Sequence, residues 1–221
     1  MLKTKKRNVF SVIIIFIVLS CSGVEKQQDK PLKKVSINMV THGQATDPFW
    51  SVVSNGAKDA AKELGIDFYY QSPQNFDMIT MSQIIDAVVS TNPDGIIVSV
   101  PDVAALKKSI LAASKKDIPI IVINAGSEIM EEIDILTYVG QSEYEAGMKA
   151  AKELIKYNIT TALCVNHEIG NISLDKREQG FRKILKENNI DVKTIPIDAS
   201  DPSVARESVR AYLSTNNTID G

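Results

Sequence analysis

From residue 35 onward, short apolar runs alternate with longer segments whose apolar residues recur every three or four positions. Residues 35–40 carry Val35, Ile37, Met39 and Val40 and read as a strand. Val53, Ala57, Ala60, Ala61 and Leu64 then mark one face of a helix, the spacing that lets one side of a 3.6-residue turn be buried. Gly65 stands at its C-cap position, and residues 66–70 form the next strand. Met81, Ile84, Ile85 and Val88 stripe a second helix, and Asn92-Pro93-Asp94-Gly95 makes a turn. Residues 96–100 are apolar but for Ser99, as expected of a strand covered on both faces. Leu106, Ile110 and Ala113 mark a third helix, followed by strands at 118–123 and 137–139. Strict alternation of this kind predicts an α/β fold with a doubly wound parallel sheet.

The pattern then restarts. A helix with Ala151, Leu154 and Ile155 precedes a strand at 160–165, a helix at 172–187, a strand at 192–197 and a helix carrying Ala205, Val209 and Tyr212. Two successive lobes, 35–141 and 142–221, fit this better than one sheet, with Gly140, Gln141 and Ser142 as the crossover. The Asp94-Gly95 signal that introduces a central strand recurs as Asp220-Gly221 with no strand behind it. The second lobe is therefore expected to be incomplete in this chain, since two strands are too few to close a core of their own.

Charge draws attention to the other end. The 25 Lys+Arg nearly balance the 27 Asp+Glu, but Lys3, Lys5, Lys6 and Arg7 precede an apolar run from Val9 to Leu19 broken only by Ser11. That is the layout of an export signal, too short to span a bilayer. Without residues 1–20 the count is 21 bases to 27 acids, or −6, which gives no footprint for nucleic acid. Val18-Leu19-Ser20-Cys21 resembles a bacterial lipobox, which implies a lipoprotein signal peptide at 1–20, lipidation of Cys21 and a polar, lysine-rich, lipid-anchored tether at 21–34. The other reading is a plain secretory signal with an incidental cysteine. Cys164, in the apolar run 162–165, then has no partner and reads as a buried small hydrophobe. The 44 % hydrophobic and 6 % aromatic content is that of an ordinary globular chain and excludes collagen-like and disulfide-scaffold classes.

In an open parallel sheet, ligands lie beyond the carboxyl ends of the strands. The segments there carry Asp47, Phe49 and Trp50 after the first strand, Asp102 after the third, Asn124 after the fourth, and Asn166 through Asp175 after the first strand of the second lobe. Aromatic faces pack on C–H surfaces, and Asp and Asn bond hydroxyls, so a small neutral polyol such as a monosaccharide suits this set. Asp47 before Pro48, and Asp102 before Val103, also have the pattern of helix N-caps. His42 reads as an ordinary loop histidine, and Arg177 as a brace within its lobe. No G-x-G-x-x-G, P-loop or G-x-S-x-G turn is present, which leaves an enzyme on a doubly wound fold as a remote alternative.

Residues 35–50 with Asp47-Pro48-Phe49-Trp50, the run Asn92-Pro93-Asp94-Gly95-Ile96-Ile97-Val98, Ile118-Pro119-Ile120-Ile121 with Asn124, Tyr138-Val139-Gly140-Gln141, and Arg177-Glu178-Gln179-Gly180-Phe181 together resemble the type I periplasmic binding proteins of ABC importers, sugar-binding branch. The resemblance covers residues 35–221. It implies two lobes that close on one small ligand and present it to an ABC transporter permease outside the cytoplasm, with no reaction, cofactor or metal. It also implies an aromatic at Phe49 or Trp50 stacking on the sugar, Asn124 bonding hydroxyls and Asp102 near the ligand. Ala125 and Asp175 stand where ribose-binding members place arginines, which argues against ribose. A ligand-sensing receptor feeding a chemoreceptor or sensor kinase shares these features. A repressor would need a helix-turn-helix ahead of residue 35, where a signal and tether stand instead.

Overall fold

A computed structural model of the protein describes residues 33–43, 47–198 and 201–221. The export segment 1–20, Cys21 and the tether as far as residue 32 lie outside them. The first half holds strands β1 (Ser36–Val40), β2 (Asp67–Gln71), β3 (Gly95–Val98), β4 (Ile120–Asn124) and β5 (Thr137–Gly140), with helices α1 (Pro48–Leu64), α2 (Met78–Ser90) and α3 (Val103–Ser114) and a 3-10 turn at Ser127–Glu131 between them. The strands are all parallel, in the order β2-β1-β3-β4-β5. The connections leave β1 toward one edge and β3 toward the other, so the switch in direction falls between these two strands.

The expected periods place the core well. Ile96, Val98, Ile120 and Val122 fill the middle of the sheet, and α2 and α3 press Met81, Ile85, Val88, Leu106 and Ile110 onto it. The helix ends obey the local signals: the Asp77 side chain accepts from the amides of Ile79 and Thr80, and Gly65 ends α1 in the left-handed conformation at φ 65°, which costs glycine nothing. Helix α1 departs from expectation. Its buried residues are Trp50, Ser54 and Ala61, while Leu64 is 72 % exposed. The reason is that α1 leans on the edge strand β2, so its inward stripe is narrow and turned from the one the apolar residues alone define. The 3-10 turn was also not legible, because five residues give no period to read.

In the second half, α4 (Glu143–Ile155), β6 (Thr161–Asn166), α5 (Ile172–Glu187), β7 (Asp191–Pro196) and α6 (Pro202–Thr215) follow in order. Strands β6 and β7 pair in parallel, and with α4 and α5 they bury a small cluster of Ala151, Ile159, Ala162, Ile184 and Leu185. Helices α4 and α5 meet at two glycines. A Cβ on Gly147 would lie 1.8 Å from the carbonyl oxygen of Arg177, and one on Gly180 2.0 Å from that of Tyr144, so the two backbones touch directly. At the chain's last residues, Asp220 accepts from the amides of Thr160 and Thr161 and the Gly221 carbonyl accepts from Leu163 N–H. This seats Asp220-Gly221 against β6 on the edge opposite β7. Asp94 engages Ser36 beside β1 in a similar way, so the sequence echo is also an echo in structure.

Candidate functional site

The carboxyl ends of β1 and β4 and the first turn of α1 face the first turns of α4 and α5 and the loop after β6. Between them lies a cavity of about 200 Å³. On the side of the five-stranded sheet it is lined by His42, Asp47, Phe49, Trp50 and Asn124. Asp47 caps α1, its Oδ1 accepting from Phe49 N–H at 2.7 Å and Trp50 N–H at 3.4 Å, with Pro48 at the first helical position. The cap sets where the two aromatics point. Trp50 is only 4 % exposed; its ring meets His42 and Phe49 edge-on, with centroids 5.0 Å away in both cases, and Gly43 leaves the room it occupies, since a Cβ there would lie 1.8 Å from the indole nitrogen. Phe49 is 54 % exposed, so it is the aromatic with a free face.

His42 is far from an ordinary loop histidine. It follows β1 at the switch point, its side chain is 5 % exposed, and its backbone N–H donates to Ser99 Oγ at 3.0 Å while its Nδ1 lies 2.8 Å from the same oxygen. Ser99 itself follows β3 and is fully buried. Burial, and then the neighbouring His167, push the His42 imidazole down to about 4, against a smaller opposing pull from Asp47. The ring is therefore neutral at physiological pH, because little of the protonation energy available in water survives in this setting.

The facing wall is polar and charged. Arg177 of α5 places Nε and Nη2 each 2.5 Å from Glu143 Oε2 at the start of α4. Asn171 caps α5 through Oδ1, which accepts from Ser173 and Leu174, and its Nδ2 donates to Glu168 Oε2 at 2.7 Å. One residue thus starts the helix and fixes a carboxylate at the cavity. Beside the cavity, Lys176 of α5 pairs with Glu128 of the 3-10 turn, a charged link from one half of the chain to the other. Among the described residues, no group of His, Cys, Asp and Glu side chains has the arrangement to hold a metal.

The structure brings Asp47, Phe49, Trp50 and Asn124 to one cavity and leaves three other sequence-derived candidates outside its lining. Asp102 caps α3, accepting from Ala105 N–H at 3.0 Å. Asp175 sits on α5 between Leu174 and Arg177, off the face those two turn to the cavity, because 100° per residue carries it aside. Asn166 accepts from Glu168 N–H and lines a separate cavity of about 250 Å³ beside β6, together with Cys164. Cys164 is half-buried, and its thiol is pushed up by burial and by Glu178 nearby. Of the lining residues, Glu143 is not foreseen from the sequence, His42 reads there as an ordinary loop histidine, and Glu168 and Asn171 lie in the 166–175 segment without being singled out within it. For the last, the signal was available: an Asn before a helix start followed by acid-bearing turns is a capping pattern.

The chain matches the family model described as "Periplasmic binding protein domain" over residues 37–221. Among curated proteins it is 26 % identical over 200 residues to the xylose/arabinose-binding protein of Sulfolobus acidocaldarius, a match that covers 86 % of this chain and 48 % of that one. The chain thus spans about half the length of that relative. Among solved structures it is similar to the periplasmic sugar-binding protein of an ABC sugar transporter from Legionella pneumophila, with a TM-score of 0.78 and 27 % identity over 85 % of this chain and 69 % of that one. A carbohydrate transporter protein from Acidothermus cellulolyticus, solved in complex with myo-inositol, gives a TM-score of 0.78 and 29 % identity over 85 % and 64 % of the two chains. XylFII in its complex with LytSN gives 0.76 and 28 % over 84 % and 68 %. With the parallel sheet, the switch point and a cavity at the strand ends all in place, the chain belongs to the periplasmic binding protein domain family, in its type I sugar-binding branch.

Proposed function

We propose that the protein captures one small neutral sugar or polyol between two lobes, residues 35–141 and 142–221, and hands it to an ABC importer without making or breaking a bond. The observation that carries this is the pairing of Phe49's free face with a polar wall across a cavity of about 200 Å³. An aromatic face takes up C–H surface, and fixed carboxylates and amides bond hydroxyls. The names of the similar proteins, a xylose/arabinose-binding protein and one solved with myo-inositol, support the ligand class. Asp47, Phe49 and Asn124 are the contacts of choice from the sequence-derived set; Asp102, Asn166 and Asp175 are more distant candidates. Similarity to XylFII, solved in complex with LytSN, supports a second reading in which the loaded protein docks on another protein, for which we propose a chemoreceptor or sensor kinase.

Titrations of D-xylose, L-arabinose and myo-inositol, read by Trp50 emission and by melting temperature, test the reading. Trp50 is the chain's one tryptophan and lies against the cavity. A ligand at a hundred times its Kd adds about 2.7 kcal/mol to apparent stability, so a binder raises the melting temperature measurably. Phe49→Ala is expected to weaken that binder about tenfold, the order of an aromatic stacking contribution. If all three compounds leave both signals unmoved, the reading fails.

We further propose that the working protein sits outside the cytoplasm, held to the envelope through lipid on Cys21. Cys21→Ser is expected to move it from the membrane fraction to the soluble fraction of cells. If the variant fractionates with membranes as the parent does, the anchor is elsewhere.

A further inference from the structure

His42 and Glu168 confront each other across the cavity from opposite halves of the chain, each held rigidly on its own side. His42 is fixed by Ser99 and Glu168 by Asn171. Nε2 of the histidine lies 3.9 Å from Oε2 of the glutamate, beyond hydrogen-bond range. The two groups that hold them are themselves buried, Ser99 fully and Asn171 at 3 % exposure.

The tautomer of the ring follows from the serine. Ser99 Oγ already accepts from the His42 backbone N–H, and the acceptor the structure offers for its own proton is Nδ1, 2.8 Å away. A fully buried hydroxyl proton that pointed elsewhere would be left unpaired, at the cost of a lost hydrogen bond. Nδ1 therefore accepts, and the ring proton sits on Nε2, aimed across the cavity. Burial keeps the ring neutral, so no ion pair closes the gap.

We propose that His42 and Glu168 form a donor–acceptor pair that reads one hydroxyl of the bound sugar, Nε2–H donating to its oxygen and the glutamate accepting its proton. This rests on the sugar-capture reading above. An oxygen about 2.8 Å from each atom fits a 3.9 Å gap with the two bonds roughly at right angles. A hydroxyl has both the lone pair and the proton that such a site needs. An ether or a fluorine offers only the lone pair and leaves the carboxylate unmatched; an ammonium offers only protons and leaves Nε2–H unmatched. The pair also makes that hydroxyl a tie between the halves, because one partner belongs to each. Ser99 and Asn171 act as positioning residues behind it.

The test takes the member of the xylose, arabinose and myo-inositol panel that binds, and measures its affinity by calorimetry for the full chain and for His42→Gln, Glu168→Gln and the double variant. Each single change is expected to weaken binding about ten- to a hundredfold, as when one partner of a buried hydrogen bond is lost, and the double variant little further. One monodeoxy derivative of the same compound is expected to bind the parent as weakly as the parent compound binds the variants, and to be indifferent to both substitutions. This arm needs the parent protein only, so it stands even if a variant folds poorly. Multiplying losses in the double variant, or deoxy derivatives that all bind like their parent, would overturn the proposal. So would a coupling between the two substitutions that appears in the melting temperature without any sugar, since that marks a direct latch. If Phe49→Ala weakens binding and the His42 and Glu168 variants leave it unchanged, this inference alone is lost; if no panel compound binds the parent, it falls together with the sugar reading.

Discussion

Replacing Gly180 with alanine is expected to destabilise the protein by about 2 kcal/mol, against the usual direction for this substitution in a helix. Glycine to alanine inside a helix ordinarily gains about 1 kcal/mol, because alanine loses less backbone freedom on folding. Here the new Cβ would lie 2.0 Å from the carbonyl oxygen of Tyr144 and 2.9 Å from its carbon. Both are backbone atoms and cannot rotate away, so α4 and α5 must separate by more than 1 Å of the order set by van der Waals contact. Overpacking of this kind costs about 1–3 kcal/mol and at times more, and the parting helices also lose contact around Ala151 and Leu185. Gly56→Ala is the matched control. It lies in α1 with no atom within 4 Å of the added Cβ, and a gain of about 0.5–1 kcal/mol is expected. Urea unfolding followed by circular dichroism reads both. Opposite signs support backbone contact between α4 and α5, and a stabilised Gly180→Ala variant would refute it.

The second large effect is one of pH. His42 takes its proton at about 4 in the folded chain because of burial first and His167 second, against 6.5 as its ordinary value. The unfolded chain therefore binds a proton that the folded chain refuses, and acid favours unfolding. Stability is whole above about pH 6.5, falls between there and about 4, and stops falling on this account below 4, for a total of roughly 3 kcal/mol. The carboxylates held below their ordinary values act lower down. Asp77, held down by the Thr80 hydroxyl, Asp220, held down by the amides of Thr161 and Thr160, and Glu128 and Glu178 contribute stability that is present above the unfolded carboxylate range at about pH 4 and lost below it. The upper part of the window is therefore the histidine's. The groups facing the ring are Ser99, Asp47, His167 and Glu168. Urea midpoints measured at half-unit steps from pH 7 to 4.5 are expected to slope steeply for the parent and little for His42→Gln. Equal slopes would place the acid sensitivity elsewhere.

Most of the architecture could be read from residue periods, because a helix or strand on a core carries its burial in its own sequence: Met81, Ile85 and Val88, or Leu106 and Ile110, mark the faces that the fold buries. Where burial depends on a neighbour, the reading slipped. Leu64 belongs to the apolar stripe of α1 yet faces solvent, since α1 lies at the sheet edge. The site divides in the same way. Asp47, Phe49, Trp50 and Asn124 reach the cavity because they directly follow strands whose carboxyl ends converge. Glu143 and Arg177 reach it only through the glycine contact of α4 with α5, and a charged residue in an early helical turn reads as solvated when that contact is unseen. His42 was visible as a loop residue; its serine partner is 57 positions away, and no local pattern links the two.

The glycine contact also bears on how the cavity's electric field behaves when the protein moves. Where the two backbones touch, at Gly147 and Gly180, there is no side-chain layer to shear, so α4 and α5 are expected to travel as a stiff plate. Glu143 and Arg177 are mounted one on each helix, and a plate that moves whole carries them without drawing their charges apart. On the proposed reading, a sugar arriving at any separation from Phe49 meets the same fixed dipole, and the wall that would bond its hydroxyls does not rebuild its polarity as the two halves move.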